Sequence, residues 1–106
     1  MILLTVYVKV APENRQNAIN TFKSMIGPTS ALPDCQYCYL FSDVDNDDRL
    51  FLIERWESQE CFERHIRSPD FRNIISVMEL SCEPPEMIIH TVTHTHGIEF
   101  IEKLLL

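Results

Sequence analysis

The hydrophobic period of this chain changes in a set order, and that order limits the folds open to it. Ile2, Leu4, Val6, Val8 and Val10 alternate with Leu3, Thr5, Tyr7 and Lys9, which is the two-residue repeat of a strand rich in β-branched side chains. From Pro12 the repeat becomes helical, with the stripe Ala18, Ile19, Phe22, Met25 and Ile26. Pro12 suits a first turn, and Gly27 and Pro28 are expected to end the helix. Two β-prone runs, Cys35 to Ser42 and Leu50 to Trp56, flank the polar stretch Asp43 to Arg49, so a hairpin is the simplest reading. Ser58 is placed to cap a short helix whose apolar face carries Cys61, Phe62, His65 and Ile66. After Ser68 and Pro69, the residues Phe71, Ile74, Ile75 and Met78 mark a further helix that must finish before Pro84 and Pro85. A fourth strand is expected from about Met87 to Thr95. Gly97 separates it from an amphipathic tail with Ile98, Ile101, Leu104 and Leu105.

The resulting order, β-α-β-β-α-β with a tail, is that of the α+β ferredoxin-like arrangement, an antiparallel sheet with its helices on one face. With 106 residues the chain reads as a single domain, residues 1–106, in which 97–106 form a short helical tail. A hydrophobic fraction of 45% supports a core and excludes disorder. Nine Lys and Arg against sixteen Asp and Glu leave a net charge of -7, which repels phosphate backbones and anionic lipid, so neither nucleic acid nor membrane is expected as a partner. Two glycines do not make a phosphate-cradling loop. The first ten residues lack the basic start and cleavage site of a signal peptide. The expectation is a cytoplasmic protein whose Cys35, Cys38, Cys61 and Cys82 are reduced thiols, most of them packed as small apolar groups.

The first and third strands are apolar on both faces. Leu52 and Trp56 occupy one side of the third strand, Phe51 and Ile53 the other. Two short helices cover one face only, and a second copy of the same sheet across a two-fold axis would cover the other, so a homodimer is expected. Leu104, Leu105 and Leu106 would be a costly exposed terminus, and the tail is expected to dock on its own subunit or its partner.

The segments Pro33-Asp34-Cys35, Tyr39-Leu40-Phe41, Leu52 to Ser58 with Glu54-x-Trp56, and His65 to Phe71 resemble the antibiotic biosynthesis monooxygenase family, especially its quinol monooxygenase branch. Ser81 to His96 is similar to that branch as well. The resemblance implies a dimeric α/β barrel with a pocket between the sheet and its own helices, walled by the Trp that closes the third strand. It also implies an oxygenase that uses no cofactor and acts on a quinol or polycyclic phenol, a small aromatic substrate, together with molecular oxygen. Haem degradation by a related branch is disfavoured, because the first strand has no Asn and Ile75 stands where an iron-ligating His would be expected.

Six residues are candidates for such a site. Trp56 is the only Trp and is either a pocket wall or plain core. His65 interrupts an apolar helical face and is either a hydrogen-bonded core histidine or the candidate catalytic base. Glu54 shares the Trp56 face by the two-residue repeat, and a carboxylate there needs a partner. Tyr7, Tyr39 and Phe71 are candidate walls for a flat ligand, against the reading of ordinary core aromatics. The alternative function is a non-catalytic dimeric ligand-binding or stress-related protein.

No metal site is expected. Asp43, Asp45, Asp47 and Glu54 fall at EF-hand spacing, but Asp48 occupies the position of the turn glycine and strands flank the loop. Cys35 and Cys38, three apart in a strand, are expected on opposite faces. His90, His94 and His96 are expected on one strand face without a carboxylate beside them.

Overall fold

A computed structural model describes residues 1–106. β1 (Ile2–Lys9) is followed by a 3-10 turn (Pro12–Asn14), α1 (Arg15–Ser30), β2 (Cys35–Ser42), β3 (Arg49–Trp56), α2 (Gln59–Ile66), α3 (Phe71–Glu79), β4 (Glu86–Thr91) and α4 (Ile98–Leu105). The four strands form one antiparallel sheet in the order β2-β3-β1-β4. This is the expected α+β ferredoxin-like fold, and the sheet stays open at both edges.

The two-residue repeat decides what is buried. Ile2, Leu4, Val6 and Val8 of β1 face the same way as Leu50, Leu52, Glu54 and Trp56 of β3, with Ile2 opposite Trp56 and Leu4 opposite Glu54 in the register. Against that face pack Ala18, Phe22 and Met25 of α1, Phe62 of α2, and Phe71, Ile74 and Val77 of α3. Seventeen apolar residues form this core, and each large side chain buried there stabilises the fold by roughly 1.5–3 kcal/mol.

Three local expectations are corrected. The first helix passes through Gly27 and Pro28 and ends at Ser30. Pro28 removes one hydrogen bond, the one to Ser24, which lies on the exposed side of the helix, and the helix continues through the buried Thr29 to Ser30. The fourth strand stops at Thr91 instead of Thr95 because its partner ends there: Ile2 faces Thr91, and the Val92 N–H donates to the Met1 carbonyl at 2.9 Å. His94 and His96 therefore lie beyond the strand, and they share no strand face with His90. Finally, Cys35 and Cys38 are both buried beneath the helices, because a bulge between Cys35 and Tyr37 adds a residue and restores the parity that a regular strand would break.

The tail helix α4 has no buried residue, and Phe100, Ile101, Leu104 and Leu105 are all exposed. No helix is long and apolar enough to cross a membrane.

Candidate functional site

The end of β3 and the middle of α2 bring three polar groups together in the core. Glu54 and Trp56 are two residues apart on one strand and so project side by side. The Trp56 indole Nε1–H donates to Glu54 Oε1 at 2.9 Å. α2 starts at Ser58, whose hydroxyl oxygen accepts the Cys61 N–H at 3.3 Å as an N-cap. Two turns on, this start lays His65 over the pair. His65 Nε2 lies 3.0 Å from Glu54 Oε1 and 3.3 Å from Oε2. The Cys38 thiol completes the set, donating to Oε2 at 3.8 Å.

Glu54 is wholly buried and His65 is 2% exposed. A carboxylate in such surroundings needs donors on its oxygens, and here it takes them from indole, imidazole and thiol. The pattern assigns the imidazole proton to Nε2, which leaves the lone pair on Nδ1. That Nδ1 is buried and has no hydrogen-bond partner. The imidazole plane is held on both sides of its pairing direction. It stacks on Trp56 with ring centres 4.5 Å apart, and Phe71 meets it edge-on at 5.6 Å.

Beside this cluster lies a cavity of about 240 Å³ lined by Leu32, Pro33, Asp34, Trp56, Cys61, Arg64, His65 and Ser68. Arg64 and Asp34 approach to 3.7 Å. The buried thiols beneath are quiet: desolvation, then the charge of Glu54, push Cys35 up to about 11 and Cys38 higher still.

Four of the six candidate residues thus meet: Glu54, Trp56, His65 and Phe71. Tyr7 and Tyr39 do not, and their placement as pocket walls is corrected. Both have the opposite parity and project from the sheet face that carries no helix, Tyr7 against Phe51 at 5.1 Å and Tyr39 between Tyr37 and Phe41. The Tyr7 hydroxyl donates to Glu83, a bond that raises its pKa. Sequence reasoning missed Cys38, Cys61, Arg64 and Asp34. The bulge hid Cys38, and Cys61 was counted as plain core although its spacing of four from His65 places both on one helix face.

Such a fold and site define a small α+β protein with a buried carboxylate–imidazole pair beside a cavity that Trp56 helps to line. The sequence profile described as antibiotic biosynthesis monooxygenase matches residues 1–76, and the chain belongs to that family. It is 22% identical over 91 residues to "Putative monooxygenase YcnE" of Bacillus subtilis, covering 86% of this chain and 96% of that protein. It is also 22% identical over 92 residues to the protein sll1783 of Synechocystis; that match covers 86% of this chain but spans only 63% of the cyanobacterial protein. The fold matches a crystal structure of a "putative antibiotic biosynthesis monooxygenase" from Deinococcus radiodurans with a TM-score of 0.82 at 12% identity, over 92% of this chain and 98% of that one.

Proposed function

We propose that the chain is a monooxygenase that takes a quinol and molecular oxygen, uses no cofactor, and works as a homodimer. The observation that carries this reading is His65, a buried residue in the lining of a cavity, with Nε2 against Glu54 and Nδ1 free of any partner. An imidazole arranged in this way is a proton acceptor with its counter-charge already in place. A quinol hydroxyl entering the cavity gives its proton to Nδ1, and Glu54 stabilises the imidazolium that results. The phenolate, rich in electrons, passes one to oxygen and recombines with the superoxide so formed. In the balanced reaction a quinol and one O₂ give a hydroxyquinone and one water: one oxygen atom stays on the ring, and the other leaves with two hydrogens of the substrate.

Cavity size narrows the substrate. About 240 Å³ lies below the roughly 300–1,000 Å³ usual for drug-sized ligands, which favours a quinol of one or two rings over a larger polycyclic phenol. Trp56 supplies the flat wall and fixes the carboxylate through its N–H. Phe71 sets the imidazole edge. The homodimer follows from the uncovered face of the sheet, where Tyr39 is 54% and Phe41 50% exposed, a self-complementary apolar surface suited to a second copy.

Oxygen uptake over a panel of quinols, with purified protein and no added cofactor, tests the reading. Turnover that persists under metal chelation and is lost in Trp56→Ala supports it. No turnover on any quinol, with binding of the same compounds retained, would make the protein a dimeric ligand-binding module instead.

A further inference from the structure

We propose that Cys61 is a covalent acceptor for quinones, a modification site in the wall of the cavity that captures the electrophilic product or an intruding quinone. This rests on the preceding reading only in taking the cavity to admit a quinol-sized ring.

The four thiols of the chain are all free and differ sharply in what they face. Cys35 and Cys38 are sealed under the helices, where burial keeps them protonated. Cys82 is exposed and has no cavity. Cys61 alone is half-buried in the cavity wall, together with Trp56 and His65. Its sulfur accepts a hydrogen bond from the Ser58 hydroxyl at 3.1 Å, while its own N–H donates back to that oxygen. The sulfur is therefore held as an acceptor in the cavity wall. It sits in the first turn of α2, the end of the helix dipole that favours negative charge. One helical turn away His65 lines the same cavity and carries the unpartnered, buried Nδ1, a base with no other assigned contact in the resting chain.

The step is a conjugate addition. Cys61 Sγ attacks a ring carbon of the quinone, and a C–S bond forms as the ring C=C pair moves onto a carbonyl oxygen. The thiol proton, carried by Nδ1, ends on that oxygen. Loss of the ring hydrogen from the attacked carbon, regained on the second oxygen, restores aromaticity. One thiol and one quinone give one S-aryl quinol, with nothing released and no further oxidant required. A nucleophile held beside a bound ring gains from proximity what a thiol in bulk lacks.

The test uses the full chain without oxygen and with p-benzoquinone, first in slight deficit to rank the thiols and then over rising concentrations to follow the rate, each followed by digestion and mass mapping of thiol adducts. Cys61 should label about ten-fold or more ahead of Cys82, at a rate that saturates with quinone. The unreactive p-dimethoxybenzene should protect Cys61 and leave Cys82 labelling unchanged, and Cys61→Ser should remove one adduct and spare the other. Labelling of Cys82 first, or a Cys61 rate that is linear in quinone and unprotected, overturns the proposal. Oxygen uptake with quinol on the same preparation separates the two claims. Saturable labelling without uptake removes the oxygenase and keeps the acceptor. Uptake with Cys61 left unlabelled removes the acceptor and keeps the oxygenase.

Discussion

The two faces of the sheet are built from the same strands and have opposite characters. On the helix side, alternate residues of β1 and β3 are sealed to within a few per cent of complete burial, and a carboxylate and an imidazole sit among them. On the open side, Tyr7 of β1 leans on Phe51 of β3, and the rings of Tyr37, Tyr39 and Phe41 pack along β2. Polar chemistry is thus buried where donors can be fixed around it, and apolar area is displayed where a partner can take it. Glu54 and its neighbour Ile53 differ by one position and belong to opposite faces, so a one-residue slip of β3 would exchange the buried site for the open face.

The largest expected effect is on the sealed face. Glu54→Ala leaves the Trp56 N–H and the His65 Nε2–H buried without an acceptor, and breaking a buried pair in this way costs about 3–5 kcal/mol. Urea unfolding would register that loss as a lower midpoint. A change below about 1 kcal/mol would mean that water reaches the cluster and that the two faces are less different than their burial indicates. His65→Gln comes next. It keeps a polar group of similar reach but removes the proton acceptor, and in the proposed reaction turnover with quinol should fall by a factor on the order of 10² or more. Unchanged turnover per folded protein, with lowered stability, would make His65 a core histidine only.

Much of this contrast was legible in the sequence, because parity is a local property. Ile2 to Val10 and Leu50 to Trp56 announce their buried sets by alternation, and the pairing of Glu54 with Trp56 follows from the same count. His65 was visible as a polar break in an apolar helix face. Parity failed where the backbone departs from regularity. The bulge after Cys35 turned two cysteines to one side, and no residue near it signals an extra unit. Tyr7 and Tyr39 read as pocket walls by aromatic character alone, while alternation with Val6 and Leu40 sends both to the open face. The strand end at Thr91 depends on where β1 begins, a tertiary fact that the residues after Thr91 do not encode. Arg64 and Asp34 meet across 30 positions of chain only when the fold is complete.

The open face offers the next test. Phe51 sits opposite Tyr7 in the register and is 37% exposed. In the proposed dimer, Phe51→Glu would bring like charges near each other across the two-fold axis and should weaken association by about ten-fold to a hundred-fold, seen as a concentration-dependent shift to monomer in sedimentation. The chain should stay folded, since the sealed core is untouched. A dimer unaffected by this change would place the interface elsewhere, with the exposed helix α4 as the next surface to alter.

The smallest effect concerns alkaline pH and separates the faces by their titrating groups. In the folded chain Cys35 is raised from 9.0 to about 11, chiefly by burial. Between these values the unfolded thiol has lost its proton and the folded one retains it, so the native state binds more protons and stability must fall as pH rises. The stabilisation is complete below about pH 9 and disappears by about pH 11; near pH 10 the loss is on the order of ten-fold in the folding constant. Cys38, also raised by burial and by Glu54, adds to the same slope. Tyr7 on the other face is raised from 10.0 mainly by the hydrogen bond it donates to Glu83, so its contribution starts about one unit higher. Denaturant midpoints measured from about pH 8 to 10 should therefore show a decline that Cys35→Ala reduces and Tyr7→Phe leaves in place. A decline insensitive to Cys35 would mean that the thiol is reached by solvent. The bulge would then open the sealed face at the edge strand, beneath the carboxylate.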